Sequence, residues 1–316
     1  MDYVICARNI KADKKFGSEP APSSYLMLEE DAAPKATPDQ IRGPDAWAKK
    51  VIAEARRGVK ADEYGNLLVF VHGYNNNQTT VMQRHRRLRD DLRTAGFKGI
   101  VVSFDWPSGD VGAFYLEDLV DANRSSYQLV ADGVMLLAKY QQPDCQVNIH
   151  ILAHSMGAYV TREAFTAADD ADDLAGHTWH VSQIMFVAGD VSSRSLRDSD
   201  QRSDGLFRCC TRLTNYSNRH DGVLGLSNFK RAGVAPRAGR IGLPDDTCGH
   251  AVNVDCTDYY ASIPAAQPVI GNREHSWHIG DPVFTQDMID TMNGVDRAVS
   301  GTRVTLAENR YRLVRP

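Results

Sequence analysis

The chain has 316 residues, a formal net charge of −4 at neutral pH and 42% hydrophobic residues. That is ordinary for a globular protein of one large domain or two small ones, and the near-balanced charge argues against a polyanion-binding surface, so no nucleic-acid partner is expected. No apolar run approaches the length that crosses a bilayer, and Met1-Asp2-Tyr3-Val4-Ile5-Cys6 lacks the basic start and apolar core of a secretion signal; a soluble, cytoplasmic protein with no membrane span is expected.

Residues 3–8 predict a first strand. Residues 11–44, rich in Pro, Lys, Ala and Ser, predict an irregular N-terminal excursion. Between 45 and 57, Ala46, Trp47, Val51, Ile52 and Ala55 recur at helical spacing, with Asp45 as N-cap. Leu67-Leu68-Val69-Phe70-Val71 is a continuous apolar run ending in His72-Gly73, which suits a central parallel strand buried on both faces. Residues 79–95 predict a helix. Its Arg84, Arg86, Arg87, Arg89 and Arg93 interleave with Asp90 and Asp91, as on an exposed face with local ion pairs. Residues 99–104 predict a strand, 116–140 a long helix, 147–152 a strand and 158–168 a helix. Strands follow at 181–187, 211–216 and 251–254. Strands alternating with helices predict an α/β fold: a mainly parallel central sheet with helices on both faces. No linker or repeat divides the chain, so 1–316 reads as one domain.

The most informative stretch is Ala153-His154-Ser155-Met156-Gly157, after the strand at 147–152. A strand that halts at a serine between small residues and gives way to a helix reads as a nucleophile elbow. A serine hydroxyl needs an imidazole to take its proton and a carboxylate to hold that imidazole in the right tautomer. In this architecture the order is serine, acid, histidine. Asp221 follows the second strand beyond the elbow and Asp190 the first; Asp221 is preferred, and Asp190 stays as alternate with a turn or N-cap role as its plainer reading. Downstream lie His250, His275 and His278. His275 and His278 share a polar loop after the last predicted strand, with His275 preferred as base; His250 precedes that strand, a worse position. The N–H of Met156 opens a helix and faces developing negative charge, and the N–H of Tyr74, beyond Gly73, is its expected partner in an oxyanion hole. His72 reads as a structural histidine of that loop.

Val71-His72-Gly73-Tyr74-Asn75, Ala153-His154-Ser155-Met156-Gly157, Asp221 and His275, in this order, resemble the α/β-hydrolase superfamily. The first of these runs, Asp105-Trp106-Pro107-Ser108 with Tyr115, and His275-Ser276-Trp277 are similar to the bacterial group of α/β hydrolases of unknown function. The likeness covers most of residues 64–290. It implies Ser155 as nucleophile, Asp221 as acid and His275 as base, and a hydrolase of no particular substrate. Ala153 replaces the usual elbow glycine, as in lipase-like members.

The expected activity is cofactor-free cleavage of a small-molecule carboxylic ester. A thioesterase, amidase or acyltransferase with the same triad is the near alternative, and a non-catalytic binding protein on the same scaffold the distant one. Trp106 and Tyr115 are candidate walls of a substrate pocket, against a packed structural turn. Residues 222–249, long and glycine-rich, are a candidate flap whose Lys230, Arg231, Arg237 and Arg240 could attract an anion. Residues 169–173 form an acidic cluster without the spacing of a calcium loop, and no zinc pattern occurs, so no metal is expected. The six cysteines read as thiols, with Cys248 and Cys256 the one spacing that invites a disulfide.

Overall fold

The structure, a computed structural model, describes residues 1–108, 115–139, 146–170, 179–225 and 236–316, and of residues 115–121 and 170 the backbone only. Its frame is an 11-stranded sheet. In chain order the strands are β1 (Asp2–Ile10), β2 (Phe16–Leu28), β3 (Ile41–Arg42), β4 (Gly65–Val71), β5 (Gly99–Asp105), β6 (Val147–His154), β7 (Val181–Val187), β8 (Cys210–Ser217), β9 (Ala251–Asp255), β10 (Arg303–Ala307) and β11 (Arg310–Leu313). They lie in the order β10-β11-β9-β8-β7-β6-β4-β5-β1-β2-β3. β1, β5, β4, β6, β7, β8, β9 and β11 run parallel to their neighbours in that order, and the antiparallel pairs β1–β2, β2–β3 and β10–β11 lie at the two ends.

β4 shows why the parallel centre is legible. All seven of its residues are buried. Leu67, Val69 and Val71 enter one core with Trp47, Val51 and Phe165; Leu68 and Phe70 enter the other with Leu88, Leu92 and Met288. A strand covered on both faces must be apolar at every position, since alternate side chains go to opposite layers. The covering helices are α1 (Pro44–Ala55), α2 (Gln78–Thr94), α3 (Tyr115–Gln128) and α5 (Met156–Asp170), with α6 (Pro282–Met292) near the chain end; α3 passes through a π-helical turn (Leu129–Val134) into α4 (Met135–Lys139), where one unbroken helix is expected.

Several expectations need correction. Residues 11–44 are not an irregular excursion, because β2 and β3 fall within them. Pro20 and Pro22 disguise β2. They are tolerated because its first half pairs only with β1, through two register shifts, while β3 touches only Tyr25 and Leu26. Asp45 does not cap α1; Gly43 is the N-cap, Pro44 opens the helix, and Asp45 lies in the first turn. The strand at 251–254 is not the last, since β10 and β11 follow and β11 docks parallel to β9. The arginines of α2 do not simply face solvent. Arg84 is buried and Arg86 and Arg89 reach the buried Asp2 on β1, while the expected local pairs form between Arg87 and Asp91 and between Arg89 and Asp90. Cys248 and Cys256 carry free thiols. Among the described residues no helix is long and apolar enough to cross a membrane.

Candidate active site

The loops after β4, β6, β7, β8 and β9 share the rim at the carboxyl ends of the parallel strands, where ligands bind in open α/β sheets. Ser155 stands between β6 and α5 at φ +56, a left-handed conformation that a non-glycine residue holds only when its surroundings impose it. Those surroundings are explicit. The Ser155 N–H donates to the Val187 carbonyl (3.0 Å), and the Ser155 carbonyl accepts from the N–H groups of Asp190 (2.8 Å) and Ala158 (3.1 Å). Gly157 is required by close approach: a Cβ there would lie 2.3 Å from the Val71 carbonyl oxygen.

Asp221 follows β8. It is fully buried, and its Oδ1 accepts from the Leu224 N–H at 2.9 Å. Its Oδ2 lies 2.7 Å from His275 Nδ1. A carboxylate only accepts, so Nδ1 carries the proton and Nε2 keeps its lone pair. His275 sits in a short helix (Arg273–Ser276) rather than an irregular loop, and Asn272 caps that helix by accepting from the His275 N–H. The segments that carry Asp221 and His275 are tied together: Asn218 Nδ2 donates to the Glu274 carbonyl (3.3 Å), and the Gly222 N–H to Glu274 Oε2 (3.2 Å).

The alternates stand elsewhere. Asp190 is buried and pairs with Arg237 at 2.9 Å, so Arg237 is an interior ion-pair partner and not a surface cation for a substrate. His278 is 1% exposed, and among the described residues neither ring nitrogen has a hydrogen-bond partner. Burial, with His275 and Arg84 nearby, pushes it well below the ordinary histidine range. It packs against His154, Trp277 and Phe284.

The loop after β4 is held from below. His72 is fully buried, its ring nitrogens facing the Gly73 carbonyl (2.8 Å) and Asp105 Oδ1 (3.2 Å). Asp105 also accepts from Arg8 Nε (2.8 Å), and Arg8 donates onward to the Asn76 carbonyl (3.0 Å). Burial works against the Asp105 carboxylate, but Arg8 and His72 outweigh it and hold its carboxyl below the usual range. Asn76 Nδ2 donates to the carbonyls of Gly73 (2.8 Å) and Tyr74 (3.0 Å). Tyr74 thus lies on a loop whose carbonyls are committed to side-chain donors. Met156 opens α5, where the first N–H groups lack intrahelical partners.

Trp106 does not wall a pocket. It is fully buried, stacks on His72 (5.4 Å between ring centres) and donates its indole N–H to the His72 carbonyl (2.8 Å). The pocket role expected of the Tyr115 side chain lies outside the described residues, as do Lys230, Arg231 and the centre of the 222–249 segment. Sequence reasoning missed Arg8, Arg84, Asp105 and Asn76. Only Asp105 carried a signal, its place in the Asp105-Trp106-Pro107-Ser108 run. Among the described residues, no group of three His, Cys, Asp or Glu side chains is arranged to hold a metal ion.

A family model described as alpha/beta hydrolase of unknown function (DUF900) matches residues 48–248. No curated protein matches the chain. Among solved structures, the chain is similar to esterase B of Lactobacillus rhamnosis, inhibited by a tributyrin phosphonate (10% identity, 74% of this chain and 77% of that one, TM-score 0.38). It is also similar to a putative hydrolase of Agrobacterium vitis S4 (12% identity, 72% and 87%, TM-score 0.35) and an extracellular α/β-hydrolase of a Paenibacillus species (11% identity, 73% and 99%, TM-score 0.28).

Proposed function

Because the chain belongs to the family of alpha/beta hydrolases of unknown function, we propose that it is a serine hydrolase cleaving small carboxylic esters through an acyl-enzyme on Ser155. The observation that supports this reading is the 2.7 Å contact of Asp221 with His275 Nδ1, which leaves Nε2 basic, on the rim that carries the strained Ser155. Ser155 Oγ attacks the ester carbonyl as its proton passes to His275 Nε2. The carbonyl π pair moves onto oxygen, where the N–H groups of Met156 and Tyr74 receive it. Collapse of the tetrahedral intermediate expels the alcohol, which takes the proton from His275. Water, deprotonated by the same imidazole, then releases the acid and restores Ser155. Asp221 holds the tautomer and offsets the imidazolium charge.

The test pairs a nitrophenyl ester assay with a fluorophosphonate probe. Wild type should turn over the ester and acquire one covalent adduct at Ser155, and Ser155→Ala should do neither. Turnover that survives Ser155→Ala, or no adduct on wild type, overturns the reading. Thioester and amide substrates run beside the ester separate the same triad used on another leaving group.

A further inference from the structure

Arg84 projects from α2 and is 5% exposed. Burial pushes its guanidinium down to about 10, and among the described residues it pairs with no carboxylate. A buried cation without a counter-charge is costly, and an apolar side chain would avoid that cost. Two of its hydrogen bonds converge on one target. Nη2 donates to the Ile270 carbonyl (3.1 Å) and to Ser276 Oγ (3.2 Å). Ile270 and Ser276 bracket the segment that delivers His275. Gly271 allows the approach: it sits at φ +107, and a Cβ there would lie 2.5 Å from Arg84 Nη2.

The third contact of Arg84 is Nη1 to His154 Nδ1, at 3.4 Å. His154 is the last residue of β6, next to Ser155, and its Nε2 lies 3.0 Å from the His275 carbonyl oxygen. A carbonyl only accepts, so Nε2 carries the proton and Nδ1 the lone pair. A guanidinium N–H requires that same lone pair. Both contacts therefore demand one tautomer, and a charged His154 would satisfy neither Arg84 nor the buried setting. The groups facing this ring are Arg84 from α2 and the imidazoles of His275 and His278, all cationic if charged.

We propose that Arg84 and His154 are positioning residues: the guanidinium fixes His154 as its Nε2–H tautomer, and His154 fastens the main chain of His275 to the elbow. The proposal rests on the triad reading above. Neither side chain touches the substrate. Together they set the distance between the serine hydroxyl and the imidazole, which belong to segments more than a hundred residues apart in the chain.

The experiment combines steady-state kinetics of His154→Leu, His154→Gln, Arg84→Met and the double variant with 15N NMR of histidine-labelled wild type. His154→Leu should lower kcat by about tenfold to a hundredfold at nearly unchanged KM, since misplacement by about 1 Å can cost on the order of 10²-fold. His154→Gln should recover most of the loss, because its amide can donate to the carbonyl and accept from Arg84. Arg84→Met should cost less in the His154→Leu background than in wild type, because there only its direct contacts to Ile270 and Ser276 remain to be lost. The NMR spectrum should show His154 neutral and protonated on Nε2. An Nδ1–H tautomer, a His154→Leu enzyme with wild-type kcat, or a glutamine variant no better than leucine would overturn the proposal. The NMR reading needs no variant to fold. Failure of the triad reading would appear separately, as turnover by Ser155→Ala.

Discussion

Gly73 lies directly beneath Ser155: a Cβ at position 73 would fall 2.6 Å from Ser155 Cβ and 3.0 Å from the His154 carbonyl oxygen. The loop after β4 and the elbow after β6 thus meet with no room for one methyl group. Gly73→Ala should push the Tyr74 loop off the elbow and lower kcat/KM on the order of 10²–10³-fold, the usual cost of one lost oxyanion donor. Ester kinetics at constant protein fold, followed by circular dichroism, check this; an alanine variant with full activity would show that the loop does not serve the reaction.

Asp221 and Asp190 should separate cleanly. Asp221→Asn removes the acceptor that fixes the His275 tautomer, and should cost about 10⁴-fold in kcat with the fold intact. Asp190→Asn instead takes the carboxylate from the buried Arg237 and should cost about 3–5 kcal/mol of stability. Denaturant unfolding and ester kinetics on both variants decide it. A larger kcat loss from Asp190→Asn reverses the assignment of the acid.

His275 and His278 are three positions apart and should behave in opposite ways. His275→Ala should abolish turnover. His278→Leu replaces a buried ring whose nitrogens have no partner among the described residues, so stability should hold or rise while activity falls less than about tenfold. Melting temperatures and initial rates measure both. If His278→Leu is the more damaging to rate, the base has been misidentified.

Stability should fall on the acid side well before the carboxylates titrate. Burial pushes His150 down to about 3, and burial with neighbouring cationic groups holds His154 and His278 well below the ordinary range. In the unfolded chain each titrates near pH 6.5, by the usual value of about 6.5. Below that pH the unfolded state binds up to three more protons than the folded one, so the stability these groups contribute is complete above it and is lost as pH falls toward the folded values. The slope can reach about 4 kcal/mol per pH unit. Urea unfolding from pH 7.5 to 5 measures it, and His150→Leu should remove one proton from the slope. Stability that is flat between pH 6.5 and 5 would contradict the burial of these rings.

What the sequence could say follows the range of the forces involved. The strands from β4 to β9 were legible because each runs through an interior that demands apolar residues, and the elbow because small residues must flank a strained serine. β2 was hidden by Pro20 and Pro22, whose cost vanishes at an irregular, half-paired strand. β10 and β11 were hidden because β10 is mostly exposed and carries no apolar run. The choices of Asp221 and His275 rested on order along the chain, which constrains which loops share a rim but not which side chains meet.

The sequence by itself determined the layered parallel architecture and the chain order in which Ser155, Asp221 and His275 follow its strands, because local pattern and chain direction encode both. Only the tertiary structure decided that Asp221 reaches His275 while Asp190 is held by Arg237, that Trp106 lies under His72, and that Arg84 grips the segment carrying His275. These are contacts between residues 34 to 192 positions apart. Hydrogen bonds and ion pairs act over a few ångströms, so their partners are chosen by how the layers pack and leave no periodic trace in the chain.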